Sequence, residues 1–173
     1  LVAHPAEYVR YWAIRLLGDR RDVSPREFDA ILQAAMTEES PRVLAQLAAS
    51  AKRLPGAQCL AIVDQLLQRS AGVDDPRVPW LIWWAIESKA MSDIPQLLKM
   101  CGSDEAWASA PRSANSLRLL RRWAADGSAA GYDACDQLLA TTPADRQDLA
   151  SDAIRQGLSE RAKGYEEITQ GGL

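Results

Sequence analysis

Apolar side chains recur along this chain at helical spacing and show no sustained two-residue alternation, so helices are predicted throughout and no strand is. Val9, Trp12, Ala13, Leu16 and Leu17 fall at i, i+3, i+4, i+7 and i+8, one face of an amphipathic helix. Gly18-Asp19 is expected to end it, with glycine in the left-handed conformation. Ser24, Pro25 and Glu27 have the spacing of a capping box, and Phe28, Ile31, Leu32, Ala35 and Met36 repeat the same face. Ser40-Pro41 opens a third helix facing inward through Leu44, Leu47, Ala48 and Ala51, which Leu54-Pro55-Gly56 closes. A fourth, from Ala57 to Ser70, carries Leu60, Val63, Leu66 and Leu67. Asp75-Pro76 opens a fifth, with Val78, Leu81, Ile82, Ala85 and Ile86 as its predicted core face. A sixth begins at Ser92 and shows Ile94, Leu97, Leu98 and Cys101.

Residues 102–112 read as a connector of polar and small residues. Beyond it the helical pattern continues through Leu117, Leu120 and Ala124, then Tyr132, Cys135, Leu138 and Leu139. Thr142-Pro143, with Asp145 placed as a capping acid, predicts a further helix facing inward through Ala150, Ile154 and Leu158. The last ten or so residues are expected to fray.

Three of the predicted helices open alike. His4-Pro5 precedes Val9, Ser40-Pro41 precedes Val43, and Asp75-Pro76 precedes Val78, so the valines stand 34 and 35 residues apart. Each interval holds two amphipathic helices, and a fixed period of this size marks a helical solenoid. One helix pair cannot cover its own apolar faces; stacked pairs bury a continuous core. The predicted fold is therefore all-α, a right-handed α-α superhelix. Residues 1–102 are expected to form helix-pair repeats, and 103–173 further helices that continue or cap the stack, within a single domain overall.

The segment Glu7-Tyr8-Val9-Arg10-Tyr11-Trp12-Ala13-Ile14-Arg15-Leu16-Leu17-Gly18-Asp19 resembles the second helix of a HEAT repeat, with its acid, Val-Arg, Ala and Leu-Gly stop. The resemblance covers the first half of the chain and implies a HEAT/armadillo-like scaffold for protein interaction. Asp74 to Glu87, with Pro79-Trp80-Leu81-Ile82-Trp83-Trp84, is similar to the HEAT-like middle region of planctomycete-type exported chains that also carry a dehydrogenase-like propeller and a c-type cytochrome. That resemblance implies a spacer from a larger exported or periplasmic haem-binding protein. The Cys-x-x-Cys-His attachment motif is absent from this sequence, so no haem is expected on it.

Composition changes the picture little. Of 173 residues, 47% are hydrophobic and 25% charged, which excludes a disordered chain. A net charge of −3 gives no general attraction to nucleic acid or anionic membrane. No apolar run is long enough to span a bilayer; the longest is Val78 to Ile86. The chain opens on Leu1, with no charged-then-apolar signal segment, and is expected to be either an excised fragment or a processed chain.

Candidate chemistry is sparse. Cys59, Cys101 and Cys135 are dispersed and expected to be buried small apolar residues. His4 is the only histidine and is expected to cap the first helix or lie exposed. The carboxylate pairs Glu38-Glu39, Asp74-Asp75 and Glu166-Glu167 fall at helix ends or in the tail. No nucleotide-binding loop or nucleophile elbow occurs, so neither an enzyme nor a cofactor or metal is expected.

Trp80, Trp83 and Trp84 are either the core of a helix buried on several sides or an interaction surface, since tryptophan is enriched at binding hot spots. Arg118, Arg121 and Arg122 share one helix face, with Arg112 and Lys99 as neighbours. They are either a solvated face or the groove of a nucleic-acid-binding or DNA-glycosylase-type helical repeat, the alternative function. The leading expectation is a non-catalytic scaffold whose partner is a protein or a neighbouring domain, not a small molecule.

Overall fold

The computed structural model describes residues 1–69 and 75–170, with side chains as far as 163. Among them are ten α-helices: α1 (Glu7–Asp19), α2 (Pro25–Thr37), α3 (Pro41–Ala51), α4 (Gly56–Arg69), α5 (Arg77–Glu87), α6 (Ile94–Cys101), α7 (Asp104–Ala108), α8 (Ala110–Asp126), α9 (Ala129–Leu139) and α10 (Gln147–Gln170). A 3-10 turn, Ala144–Arg146, precedes the last. The fold is all-α, and no strand occurs among the described residues. The expectations for Ser70, Asp74, the Glu166-Glu167 side chains and the end of the chain lie outside those residues.

The helices form two compact units, Leu1–Asp93 and Ile94–Leu173. In the first, α1, α3 and α5 stack side by side in one layer, and α2 packs against α4 in a second. Contacts of α3 with α4 and of α4 with α5 join the layers. This alternation is the helix-pair packing of a helical solenoid. Helix α1 runs parallel to α3, as two ion pairs show: Glu7 with Arg42 at their N-terminal ends (3.1 Å) and Asp19 with Arg53 at their C-terminal ends (2.6 Å).

Local sequence sets the starts. Ser24 and Glu27 close the predicted capping box: the Ser24 amide donates to the Glu27 carboxylate at 2.8 Å, and the Glu27 amide donates to Ser24 Oγ. Ser40 Oγ accepts from the Val43 amide. Asp75 accepts from the Arg77 amide at 2.9 Å and starts α5. Gly56 does not end α3, which stops at Ala51; it begins α4, where a Cβ would strike the Asp93 carboxylate.

The core is built mainly from α3, α4 and α5. Leu44, Leu47, Ala48 and Ala51 are buried as predicted, as are Leu60, Val63, Leu66 and Leu67. On α5, Val78, Ile82, Ala85 and Ile86 are buried, but Leu81 lies half-exposed and outside the core. The larger correction is on α1. Trp12 and Leu16 of the predicted core face are more than half exposed, and Ile14 and Gly18 are the buried residues. Here α1 meets α3 backbone to side chain: Ser50 Oγ donates to the Ile14 carbonyl at 3.2 Å, and a Cβ on Gly18 would overlap Ser50. Close approach needs small residues, and a pattern ranked by apolar size misses it. Gly18 is therefore helical, and the left-handed residue ending α1 is Arg21, with φ of 60°. Met36, expected on the inner face of α2, is also exposed.

The second unit is organised around α8, which packs against α10, α9, α7 and α6. The expected connector is mostly helical: α7 is capped by Ser103 and buries Trp107. Gly127 takes the left-handed conformation that ends α8, and Ser128 caps α9. Asp145 makes no cap; Thr142 donates back to the Leu138 carbonyl and finishes α9, and Asp145 pairs with Arg146. Gly157 of α10 lies against α8, Ala150 of the same helix is buried, and Leu158 is exposed.

Candidate interaction surface

The outer side of the α1–α3–α5 layer carries a trough. Its floor is α3, where Ala45 and Ala49 are the outward residues. Its walls are larger: Tyr11 on α1, and Leu81 and Trp84 on α5. The repeat register explains this. Two residues after Val9, Val43 and Val78 stand Tyr11, Ala45 and Trp80; six residues after stand Arg15, Ala49 and Trp84. Equivalent positions thus hold bulky side chains on both flanking helices and alanine on the middle one.

Two hollows make up the trough and share Ala49 and Leu81. One, about 390 Å³, is lined by Tyr11, Arg42, Ala45, Gln46 and Arg77 besides these two. The other, about 490 Å³, adds Arg21, Lys52, Arg53 and Trp84. Five cationic side chains and no carboxylate line the two hollows, although the chain as a whole carries −3. The cations gather at the two ends, Arg42 and Arg77 at one and Arg21, Lys52 and Arg53 at the other, with apolar surface between.

Three of the five have carboxylate partners outside the lining. Arg42 pairs with Glu7, Arg53 with Asp19, and Arg77 with Asp75 at 2.8 Å. The Arg77 guanidinium and amide hold the Asp75 carboxyl down to about 2. The Arg42–Glu7 and Arg53–Asp19 pairs are exposed and contribute at most about 1 kcal/mol each, so these two guanidinium groups can exchange partners cheaply, whereas Arg77 is held by the buried Asp75 carboxylate. The Arg21 and Lys52 side chains have no partner among the described residues and are exposed. Tyr8 and Trp12 extend the aromatic rim of α1, with Arg42 over the Tyr8 ring at 4.9 Å and Arg15 over the Trp12 ring at 5.4 Å.

The tryptophan cluster splits across this surface. Trp83 turns inward and is 9% exposed, while Trp80 and Trp84, one turn apart, are 53% and 48% exposed. The arginines of α8 are placed differently. Arg121 is exposed and forks onto Glu160, Arg122 pairs with Asp126 at 3.4 Å, and Arg112 donates to the Met100 carbonyl. Arg118 is half-buried, and loss of water pulls its pKa down. Arg121 and Arg122 are thus each met by an acidic side chain.

Other reactive groups are tied into the fold. His4 Nδ1 accepts from the Ala6 amide at 3.1 Å, just ahead of α1. Burial pushes the Cys59 thiol up to about 12 and the Cys135 thiol to about 11, and Cys101 is buried too. Glu38 is buried and accepts both prongs of Arg10, at 2.7 and 2.8 Å. It also accepts from the amides of Glu39 and Ser40. Among the described residues no group of three or more His, Cys, Asp or Glu is placed to hold a metal ion. No described helix is long and apolar enough to cross a membrane.

The chain matches no protein-family model, and no curated protein or solved structure matches it. The sequence reading missed Tyr11, Ala45, Ala49, Arg42, Arg77, Arg21, Lys52 and Arg53 as one surface. The signal was present in the register, but it is visible only when the three repeats are read at a fixed offset from their valines.

Proposed function

We propose that this chain is a non-catalytic, HEAT-type helical-repeat module that holds a segment of a partner protein, or of a neighbouring domain of its own chain, in the trough on α3. The observation that carries this reading is the trough itself, two adjoining hollows along α3 walled by Tyr11, Leu81 and Trp84, with exposed Trp80 one turn from Trp84 on α5. Exposed tryptophan at the edge of a concave, partly apolar surface has the composition of a binding hot spot. The three thiols are buried, and neither they nor His4 line the trough among the described residues. The likeness of Asp74 to Glu87 to the helical middle of exported haem-carrying chains favours a spacer that docks other domains of the same protein.

Selection of a random peptide display library against the full chain tests the proposal. Enriched sequences whose binding is lost in Trp84→Ala support it. A library that yields nothing, or peptides indifferent to Trp84→Ala, overturns it.

A further inference from the structure

Resting on that reading of the trough, we infer that its occupant is a short extended acidic segment, with carboxylates at both ends and an apolar or aromatic residue between them. The argument is one of matching charge and length. An α3 of eleven residues measures roughly 16 Å. A strand-like peptide rises about 3.3 Å per residue, so about five residues run from one end of the trough to the other. Arg42 and Arg77 meet the first carboxylate, and Arg21, Lys52 and Arg53 meet the second. Ala45, Ala49, Leu81, Tyr11 and Trp84 face what lies between. Arginine forks suit carboxylates, and their present pairs with Glu7, Asp19 and Asp75 show the geometry in place.

Nucleic acid fits less well. A phosphate backbone carries charge at every unit and needs an unbroken cationic track. Here the cations stop in the middle of the trough. A peptide with acids only at its ends needs no such track.

Arg21 adds a separate observation. It is the only non-glycine residue at positive φ among the described residues, at a helix end where glycine is the usual occupant. Its side chain nevertheless lines the trough and has no partner among the described residues. Strain kept at a surface cation is accounted for when the cation meets a ligand.

The test uses fluorescence anisotropy on the full chain with a short fluorescein-labelled peptide carrying two glutamates at each end and a leucine and a tryptophan between. Its controls are the same peptide with lysine for glutamate and a fluorescein-labelled oligothymidylate. The glutamate peptide is expected to bind, more weakly as salt rises, and the lysine peptide not to. Reversing two cations, Arg21→Glu with Lys52→Glu, is expected to weaken it about tenfold or more. Both side chains are exposed, and an unchanged thermal midpoint checks that this variant folds. Arg21→Gly should raise that midpoint and lower affinity together. If the lysine peptide binds equally well in a Trp84-dependent way, the trough is a peptide site and the acidic occupant is wrong. Preferential binding of oligothymidylate, lost in the charge-reversed variant, also overturns the acidic segment. If no peptide or library member binds, the inference and the function beneath it fall together.

Discussion

Individual side chains separate what holds this fold from what it displays. Ile82 and Leu81 are neighbours on α5, yet one is 1% exposed and the other lines the trough. Ile82→Ala is expected to cost about 2–5 kcal/mol in urea unfolding, and Leu81→Ala about 1 kcal/mol. Equal costs would mean that the register of α5 is mistaken. Glu38 gives a pH-dependent counterpart. Burial raises its pKa, but the Arg10 hydrogen bonds and charge and the Ser40 and Glu39 amides outweigh it, so the net shift is below the ordinary 4.5. A depressed carboxylate stabilises the fold above its unfolded pKa, and that contribution is lost as pH falls through the folded value. Asp75, held to about 2, acts in the same direction from about 4 downward. Urea midpoints measured from pH 7 to pH 3 should therefore fall in the native chain. Glu38→Gln should start lower at pH 7 and fall less steeply; a parallel, equally steep acid limb would remove Glu38 from this role.

Elements were legible in the sequence where their ends carry side-chain chemistry. Ser24 with Glu27, Ser40 and Asp75 announced α2, α3 and α5 because each side chain meets backbone amides a few residues away, a purely local event. Contacts between helices were less legible, because they run through the smallest residues. Gly18 against Ser50 is one case and Gly157 against α8 the other. A glycine inside a helix ordinarily gains about 1 kcal/mol on replacement by alanine. At position 157 the added Cβ would sit 2.2 Å from the Arg121 carbonyl and 3.0 Å from the Ala124 side chain. Gly157→Ala is expected to reverse the sign and cost about 1–3 kcal/mol by chemical denaturation. A stabilised variant would show that α8 and α10 do not meet this closely. The exposure of Trp12 and Leu16 has the same origin: apolar periodicity marks a stripe, but the neighbour that covers it is decided by close approach elsewhere on the helix.

At the scale of the molecule, the period of 34 and 35 residues made the stacked pairs of the first unit readable, since each interval had to hold two helices. No such period marks the second unit, whose helices gather around α8, and there the sequence yielded helices without their arrangement. The three cysteines report on both units at once. With their thiols buried and those of Cys59 and Cys135 pushed up to about 12 and 11, labelling by a disulfide reagent at pH 8 should be negligible until urea opens the fold. Prompt labelling of any of them in the native chain would contradict the burial assigned to it. The alanines of the trough floor carry one more consequence. Positions 45 and 49 of α3 look outward, while Leu44, Leu47, Ala48 and Ala51 of the same helix look inward. If the trough binds as proposed, folding and recognition fall on largely separate residues of one helix, with buried Gln46 serving both. Such a module can change its ligand by exchanging two outward residues per repeat without rewriting its interior, and a designer could do the same.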